Sequence, residues 1–156
     1  MTTATATLTD ATPETREFDS QYVSFWIANQ LLGVPVNSVQ EVLNQQPIGA
    51  VPKSRPEIAG LLNLRGQIVM AVDMRVRLKL PPQEDAEKIM NVVVRHNGEP
   101  YSLLVDEVGD VIDVDPQSVT SVPNTLEANW REITDSVVRL DKQLLIILDV
   151  PQLLRF

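Results

Sequence analysis

A chain of 156 residues with 44% hydrophobic content can bury a sizeable core, as one domain or as two small interlocked lobes. It contains no cysteine, which excludes disulfides and thiolate chemistry and is typical of a reducing cytoplasm. Most of its net charge of −8 lies in residues 79–156, which hold 7 basic and 14 acidic groups, so no basic stripe is available to bind nucleic acid.

Residues 1–17 are rich in Thr and Ala and lack apolar periodicity, which predicts a disordered tail. The N-terminus has neither the basic start nor the apolar stretch of a secretory signal. The longest aliphatic run, Leu144–Leu148, is too short to span a bilayer. We therefore expect a cytoplasmic protein that does not insert into the membrane.

The segment after the tail predicts a β-hairpin followed by a short helix. Residues 21–28 are apolar and aromatic in a strand-like pattern, and Asn29-Gln30 is expected to turn the chain into a second strand over 31–35. Apolar residues then fall at positions i, i+3 and i+7, which predicts a short helix that buries them. These residues are Val36, Val39 and Leu43.

The four residues Ser54-Arg55-Pro56-Glu57 match a capping box, in which the serine accepts a bond from a first-turn N–H and the glutamate reaches back. A proline at this position removes no donor that the helix needs. We therefore expect a helix to follow the box and to bury three apolar side chains, those of Ile58, Leu61 and Leu62.

The next feature is a tight turn, Asn63-Leu64-Arg65-Gly66. Its glycine tolerates positive φ, and its asparagine can satisfy local backbone groups. Such a turn can present Arg65 rigidly to a partner. The alternatives are an arginine that is merely solvated and an internal clamp in which Arg65 pairs with Glu41 or Asp73.

The run Ile68–Val72 is apolar on both faces, which predicts a strand buried between two layers. Asp73 ends the run and can cap a second short helix. Further along, Pro81-Pro82 and the charged stretch 83–88 predict a junction between two lobes.

The second half of the chain predicts short strands joined by tight turns. The turn His96-Asn97-Gly98 favours type I′, Gly109 is expected to interrupt its strand, residues 124–132 form a loop or a short helix, and Asp149 can cap a final helical turn. The predicted strands span residues 89–94, 101–105, 111–114, 118–122, 137–140 and 144–148. Many short strands with frequent turns favour small barrels over a doubly wound sheet, so the predicted fold class is all-β with a few short helices.

Little in the sequence supports catalysis, and we expect no metal or other cofactor. His96 is the single histidine, no further ligands stand near it, and nucleophile–base pairs have few candidates without cysteine. One acidic cluster could start an enzyme or hard-cation site, but Ile112 and Val114 alternate with its last members, which favours a strand with one solvated face. The cluster comprises Asp106, Glu107, Asp110, Asp113 and Asp115.

Several blocks of this sequence resemble the CheW family, the adaptors of bacterial chemotaxis arrays. The strongest is the Asn63-Leu64-Arg65-Gly66 turn with its apolar strand and the following Val72-Asp73-Met74-Arg75. Met70 is a departure, because the family commonly has a proline inside that strand. The other matching blocks, in order through residues 20–156, are Tyr22–Ile27, Leu32–Val36, Val39–Val42, Leu103–Ile112 and Ile146–Val150.

The resemblance implies one CheW-like domain of two small SH3-like five-stranded β-barrel lobes, approximately 18–82 and 83–156, with exchange of strands between them left open. It also implies a non-catalytic adaptor that couples the cytoplasmic hairpin tips of chemoreceptors to the regulatory domain of the histidine kinase CheA. We expect a monomer in isolation that assembles into receptor arrays at the inner membrane. The alternatives are a CheW-like adaptor of a non-flagellar system such as twitching motility and, more remotely, an enzyme or metal-binding protein that uses the acidic cluster.

The family's binding positions can be carried over residue by residue. The receptor-binding positions implied by the resemblance are Val39, Glu41, Gly60, Arg65, Val108 and Val111. The kinase-binding positions are Val42, Leu43 and Ile48.

Overall fold

Residues 20–156 are described in the computed structural model, and their regular structure is mainly β-strand. The predicted tail over residues 1–17 lies outside the described residues. The strands in this part of the chain are β1 (Gln21–Ile27), β2 (Gln30–Pro35), β3 (Val39–Leu43), β4 (Ile58–Leu64), β5 (Gln67–Asp73), β6 (Met90–His96), β7 (Glu99–Val105), β8 (Glu107–Asp113), β9 (Val119–Thr120), β10 (Thr134–Arg139) and β11 (Leu144–Leu148).

Three short α-helices lie among the described residues: α1 (Met74–Arg77), α2 (Ala128–Glu132) and α3 (Val150–Leu153). The side chain of Asp73 accepts a bond from the N–H of Val76, and that of Asp149 accepts one from the N–H of Gln152. Both predicted helix caps are therefore confirmed. Helix α2 occupies the last part of the segment for which the sequence left loop and helix open.

The strands form two sheets. Strands β1 and β2 join the C-terminal strands in a six-stranded sheet with the order β8-β1-β2-β11-β10-β9. Strands β3 to β7 form a five-stranded sheet with the order β3-β6-β7-β5-β4. Neighbouring strands are antiparallel except for β2 with β11 and β5 with β7, which are parallel. The predicted all-β class with a few short helices is confirmed, with one more strand in the first sheet than the five expected.

The unit β4–β5–α1 is repeated structurally by the unit β10–β11–α3. In both units the hairpin ladder shifts register after its first residue, and an aspartate caps the helix that follows. The N–H of Asp73 donates to the carbonyl of Glu57, and the N–H of Asp149 donates to that of Ile133, both at 2.8 Å. The chain thus contains two copies of one structural unit, although its sequence shows no convincing repeat.

Within residues 20–156, buried apolar side chains form three clusters. The largest contains residues of both sheets, such as Phe25 and Leu32 from the six-stranded sheet and Val92 and Leu103 from the five-stranded sheet. The two smaller clusters belong to one sheet each. Most of the core therefore lies where the two sheets meet, and neither sheet has a core of that size alone.

One predicted helix, over residues 36–43, is in fact a 3-10 turn at Val36–Ser38 followed by β3. In β3, Val39, Glu41 and Leu43 are half-buried and alternate with exposed residues. The prediction was wrong because Val36 belongs to the turn. The remaining spacing of Val39 and Leu43 fits a strand as well as it fits a helix.

The predicted helix after Ser54-Arg55-Pro56-Glu57 is also wrong, because this segment is strand β4. A helix would have buried both Leu61 and Leu62, whereas the strand places Leu62 in the core and leaves Leu61 exposed on the other face. The capping-box pattern did not decide the outcome. Residues of β4 instead find ladder partners along β5 and in Gly49.

Smaller differences concern turns and a glycine. The β1–β2 turn is Ala28-Asn29, with φ of 49° and 68°, instead of Asn29-Gln30. The predicted type I′ turn at Asn97-Gly98 has φ of 54° and 79° and is confirmed. Gly109 does not interrupt β8; a Cβ there would lie 2.8 Å from the hydroxyl of Ser24, so the glycine lets β1 and β8 approach closely.

Arg77 ties α1 to the C-terminal helix α3. Its guanidinium is buried and donates from Nε to the Leu153 carbonyl at 2.9 Å and from Nη2 to the Gln152 carbonyl at 3.0 Å. Glu132 lies 3.6 Å from Nη2 and partly balances the charge. Because the last carbonyls of a helix lack an intrahelical partner, the arginine satisfies the buried Leu153 carbonyl and adds a second bond to the Gln152 carbonyl, which also accepts from the N–H of Arg155.

Replacing Arg77 with alanine should lower the free energy of unfolding by about 2–4 kcal/mol, because the buried Leu153 carbonyl loses its charge-assisted bond and the Gln152 carbonyl loses one of its two bonds. Urea unfolding at pH 7 measures the change. Arg139→Ala, at the exposed last residue of β10, is the control and should stay within about 0.5 kcal/mol of the parent. An Arg77→Ala protein as stable as the parent would contradict this role.

Candidate partner-binding surface

The β4–β5 hairpin ends in the turn that carries Arg65. Arg65 and Gly66 both have positive φ, 52° and 86°, which is the type I′ conformation that matches the twist of a hairpin. The N–H of Gly66 donates to the side-chain oxygen of Asn63 at 2.8 Å. The turn is therefore fixed by its own sequence, as predicted, although it joins two strands and does not follow a helix.

Arg65 is both exposed and paired. Its side chain is 76% exposed, and its Nη1 lies 2.7 Å from the carboxylate of Glu41 on β3. The hydrogen bond from Arg65 lowers the pKa of Glu41, which remains charged at neutral pH. Of the two internal partners considered for Arg65, the structure shows Glu41, while Asp73 caps α1. The pair also spans from the hairpin tip to the opposite edge strand of the five-stranded sheet.

Gly60 and Ile48 lie against each other, although the resemblance assigns them to different partners. Gly60 has a φ of 152°, and a Cβ there would lie 2.3 Å from the Gly49 carbonyl oxygen and 2.7 Å from Ile48 Cγ2. The absence of a side chain lets Gly49 and Leu61 exchange backbone bonds of 2.8 and 2.9 Å. Gly60 thus anchors the segment after β3 onto β4, and its role visible here is structural.

The remaining predicted positions lie on the edge strands β3 and β8, which correspond in the two sheets. Both ladders shift register, after Val39 in β3 and after Val108 in β8. These two valines are half-buried against the core that the sheets share. Val42 and Val111, further along the same strands, are exposed, the latter by 56%. Leu43, the last residue of β3, is half-buried.

An exposed apolar residue beside Arg65 was missed from the sequence. Ile68 is 60% exposed at the start of β5, where the apolar run had predicted burial on both faces. It pairs with Asn63 across the hairpin, on the same face as Leu61 and Met70. No sequence signal separated the two faces, because Leu61 and Leu62 are both apolar; the alternation of exposed and buried residues along β4 appears only in the structure.

The acidic cluster divides into exposed and engaged members. Glu107, Asp110 and Asp113 are exposed on β8, an edge strand, as the solvated-edge interpretation predicted. Asp115 caps a 3-10 turn through the N–H of Gln117. Within residues 20–156, His, Cys, Asp and Glu side chains nowhere converge in a group of three or more that could hold a metal ion.

Asp106 departs from that prediction because it is not solvated. Its carboxylate accepts hydrogen bonds from Nε and Nη2 of Arg75, at 2.9 and 2.6 Å, and from the N–H of Ala28, at 2.8 Å. Burial disfavours the charged carboxylate, but the bonds from Arg75 and Ala28 and the attraction of the guanidinium outweigh burial and lower the pKa of Asp106. The same pairing raises the pKa of Arg75, so both groups are charged at neutral pH.

The family model described as CheW-like domain matches residues 21–156, which is nearly the whole described part of the chain. The chain belongs to the CheW family. Its similarity to single members is low but extends over most of their length. A chemotaxis protein CheW of Thermotoga maritima is 29% identical over 148 residues, which are 95% of this chain and 93% of that protein. The CheW of Bacillus subtilis is 27% identical over 81% of each chain.

A solved structure agrees with these relatives. The crystal structure of the scaffolding protein TtCheW from Thermoanaerobacter tengcongensis superposes with a TM-score of 0.79 at 25% identity, covering 88% of this chain and 94% of that one. The family places this chain among the scaffold proteins of chemotaxis signalling. No helix within the described residues is long and apolar enough to cross a membrane.

Gly60→Ala should lower the free energy of unfolding by about 3 kcal/mol or more, because the new Cβ collides with the Gly49 carbonyl. Gly66→Ala is a matched control: it also has positive φ, but no atom lies within 4 Å of its Cβ, so the loss should be about 1 kcal/mol. Urea unfolding gives both values. Hydrogen exchange should show lost protection at Gly49 and Leu61 only in Gly60→Ala; equal effects of the two substitutions would contradict the collision.

Asp106→Asn should lower stability by about 2 kcal/mol or more at neutral pH, with a loss that disappears in acid. The folded pKa of Asp106 lies below its ordinary value of 3.8, so its contribution is fully present above that value and is lost as the pH falls through the folded pKa. Unfolding measured from pH 2 to 8 should therefore show the two proteins converging below about pH 4. The exposed Asp113→Asn should differ little from the parent throughout, and a pH-independent loss in Asp106→Asn would contradict the linkage.

Proposed function

We propose that this chain is a non-catalytic adaptor that couples the cytoplasmic hairpin tips of chemoreceptors to the regulatory domain of the histidine kinase CheA. In this proposal it works in the cytoplasm, within receptor arrays at the inner membrane, and is a monomer before assembly. The observation that carries the proposal is the exposed Arg65, held by a type I′ turn and oriented by Glu41 in a CheW-family fold.

The proposed receptor surface combines this ion pair with apolar residues of both edge strands. Arg65 offers a fork of donors to carboxylates or backbone carbonyls, and Glu41 restrains its direction. Val111 supplies exposed apolar surface on β8, while Val39 and Val108 support the two edge strands from the shared core. Gly60 keeps the segment after β3 docked on β4.

The proposed kinase surface is confined to the five-stranded sheet. Val42 is its exposed member on β3, and Leu43 is half-buried at the end of the same strand. Ile48 packs against the small cluster of that sheet. Because this surface uses one sheet and the receptor surface uses both, the two surfaces should respond differently to changes between the sheets.

The domain organisation we propose is one CheW-like domain of two interlocked lobes that exchange strands. The composition of the two sheets supports it, because β1 and β2 pair with β8 and β11. The acidic cluster over residues 106–115 supports a scaffold over an enzyme, since its members lie on an exposed strand edge or are engaged in structural bonds.

Mixing the protein with its cognate CheA and a receptor signalling fragment tests the proposal. A ternary complex should elute together in size-exclusion chromatography, and receptor control of kinase autophosphorylation should increase. A cognate set that yields neither a complex nor altered kinase activity would overturn the adaptor role.

Arg65→Ala should weaken binding of a receptor fragment roughly tenfold, because a partly desolvated, charge-assisted contact is lost. The melting temperature should change little, since exposed ion pairs contribute little to stability. Titration calorimetry and thermal unfolding on the same preparation measure both quantities, with Arg139→Ala, at the exposed end of β10, as the control. Unchanged affinity with a markedly lower melting temperature would assign Arg65 to the fold instead.

A further inference from the structure

The contacts of Asp106 bring three separate segments of the chain together. Besides the two bonds from Arg75 and the bond from Ala28, the Asp106 N–H donates to the Trp26 carbonyl at 3.0 Å. Arg75 uses its remaining Nη1 to donate to the Pro81 carbonyl at 2.8 Å. The two side chains are only 17% and 15% exposed, so this pair is held in one geometry by bonds on every side.

The pair lies where the chain passes from the five-stranded sheet to the six-stranded sheet. Strand β7 of the five-stranded sheet ends at Val105, and β8 of the six-stranded sheet begins at Glu107. The chain crosses between the sheets twice, first through the 3-10 turn Val36–Ser38 after β2 and again at Asp106, the single residue between β7 and β8. Arg75 stands in α1, directly after β5 of the five-stranded sheet, and Ala28 stands in the β1–β2 turn of the six-stranded sheet. One carboxylate thus links both sheets at the second crossing.

The second copy of the repeated unit folds in the same way without an arginine–carboxylate pair at the corresponding position. In the second copy, α3 is capped by Asp149 as α1 is capped by Asp73, but Pro151 stands where Arg75 stands in the first copy. Proline has no donor, so a pair of this kind cannot form there. The ion pair therefore occurs only beside the first of the two repeated units, next to the start of β8.

We propose that Arg75 and Asp106 are positioning residues that fix the direction of β8 relative to the five-stranded sheet. Their pairing sets the spacing between Val111 on β8 and the Arg65–Glu41 pair at the β4–β5 tip, so that one receptor hairpin engages both. This inference rests on the proposed function. A bidentate arginine–carboxylate pair suits the role because its planar geometry restrains orientation as well as distance.

Asp106→Asn should weaken binding of a receptor signalling fragment about tenfold, while binding of the CheA regulatory fragment changes less than twofold. A loss of stability alone would weaken both affinities by the same factor, because the unfolded protein presents neither surface. Both affinities are measured by calorimetry at a temperature where near-ultraviolet circular dichroism shows the variant to be folded. Arg75→Lys, which keeps the charge and loses the bidentate fork, is the second variant and should show the same split more weakly.

The geometry itself can be measured without a partner. Because the chain lacks cysteine, Gln67→Cys and Asp113→Cys place two unique spin labels at exposed positions, on β5 and β8. The distance distribution between the labels should be narrow in the parent and broader in Asp106→Asn. Asp85→Asn, which removes an exposed ion pair with Lys88, is the control and should leave both the distribution and the two affinities unchanged.

The outcomes separate this inference from the function on which it rests. If the parent protein binds neither fragment, the proposed function fails, and the spin-label distances still report whether the pair orients β8. If the parent binds both fragments and Asp106→Asn binds the receptor fragment equally well, the positioning role is overturned. An equal loss of both affinities, or an unchanged distance distribution, would likewise overturn it.

Discussion

The structure depends on one apolar core to which both sheets contribute side chains. Phe25 and Leu32 of the six-stranded sheet are fully buried in the same cluster as Val92 and Leu103 of the five-stranded sheet. Burial of a large apolar side chain contributes about 1.5–3 kcal/mol, and the clusters that belong to one sheet alone are small. Separating the sheets would expose most of the buried apolar surface, so their mutual orientation is a condition of folding.

The polar contacts described above refine an arrangement that the core makes stable. Arg77 attaches α3 to α1, and Arg75 with Asp106 fixes the second crossing between the sheets. Both arginines stand in α1, which follows directly on the strand that leads away from the Arg65 turn. The segment after Gly66 therefore joins the exposed Arg65 turn to both polar links within a few residues, and a substitution there is expected to disturb more than one of these contacts.

Local chemistry was readable from the sequence, and long-range pairing was not. The Asn97-Gly98 turn, the caps at Asp73 and Asp149 and the fixed turn before Gly66 all follow from residues that act on their own neighbourhood. The errors over 36–43 and after Glu57 arose where short apolar spacings fit both helix and strand, and where the partner strand decided between them. The burial of Asp106 depends on Arg75, which is distant in the chain, so its charge alone indicated only a solvated residue.

The strand order of the six-stranded sheet has a consequence for how the chain folds. Strands β3 to β7 follow one another in the sequence, so all strands of the five-stranded sheet emerge in one continuous stretch, although their side of the shared core stays uncovered until the six-stranded sheet forms. Strands β1 and β2 leave the ribosome before β3 to β7 but pair with β8 and β11, so they wait as an apolar hairpin until these later strands have emerged. Such late, non-local pairing is slow and exposes strands to aggregation. The nascent hairpin is therefore the segment that a chaperone would be expected to protect. That protection is no longer needed once β8 and β11 have paired with the hairpin.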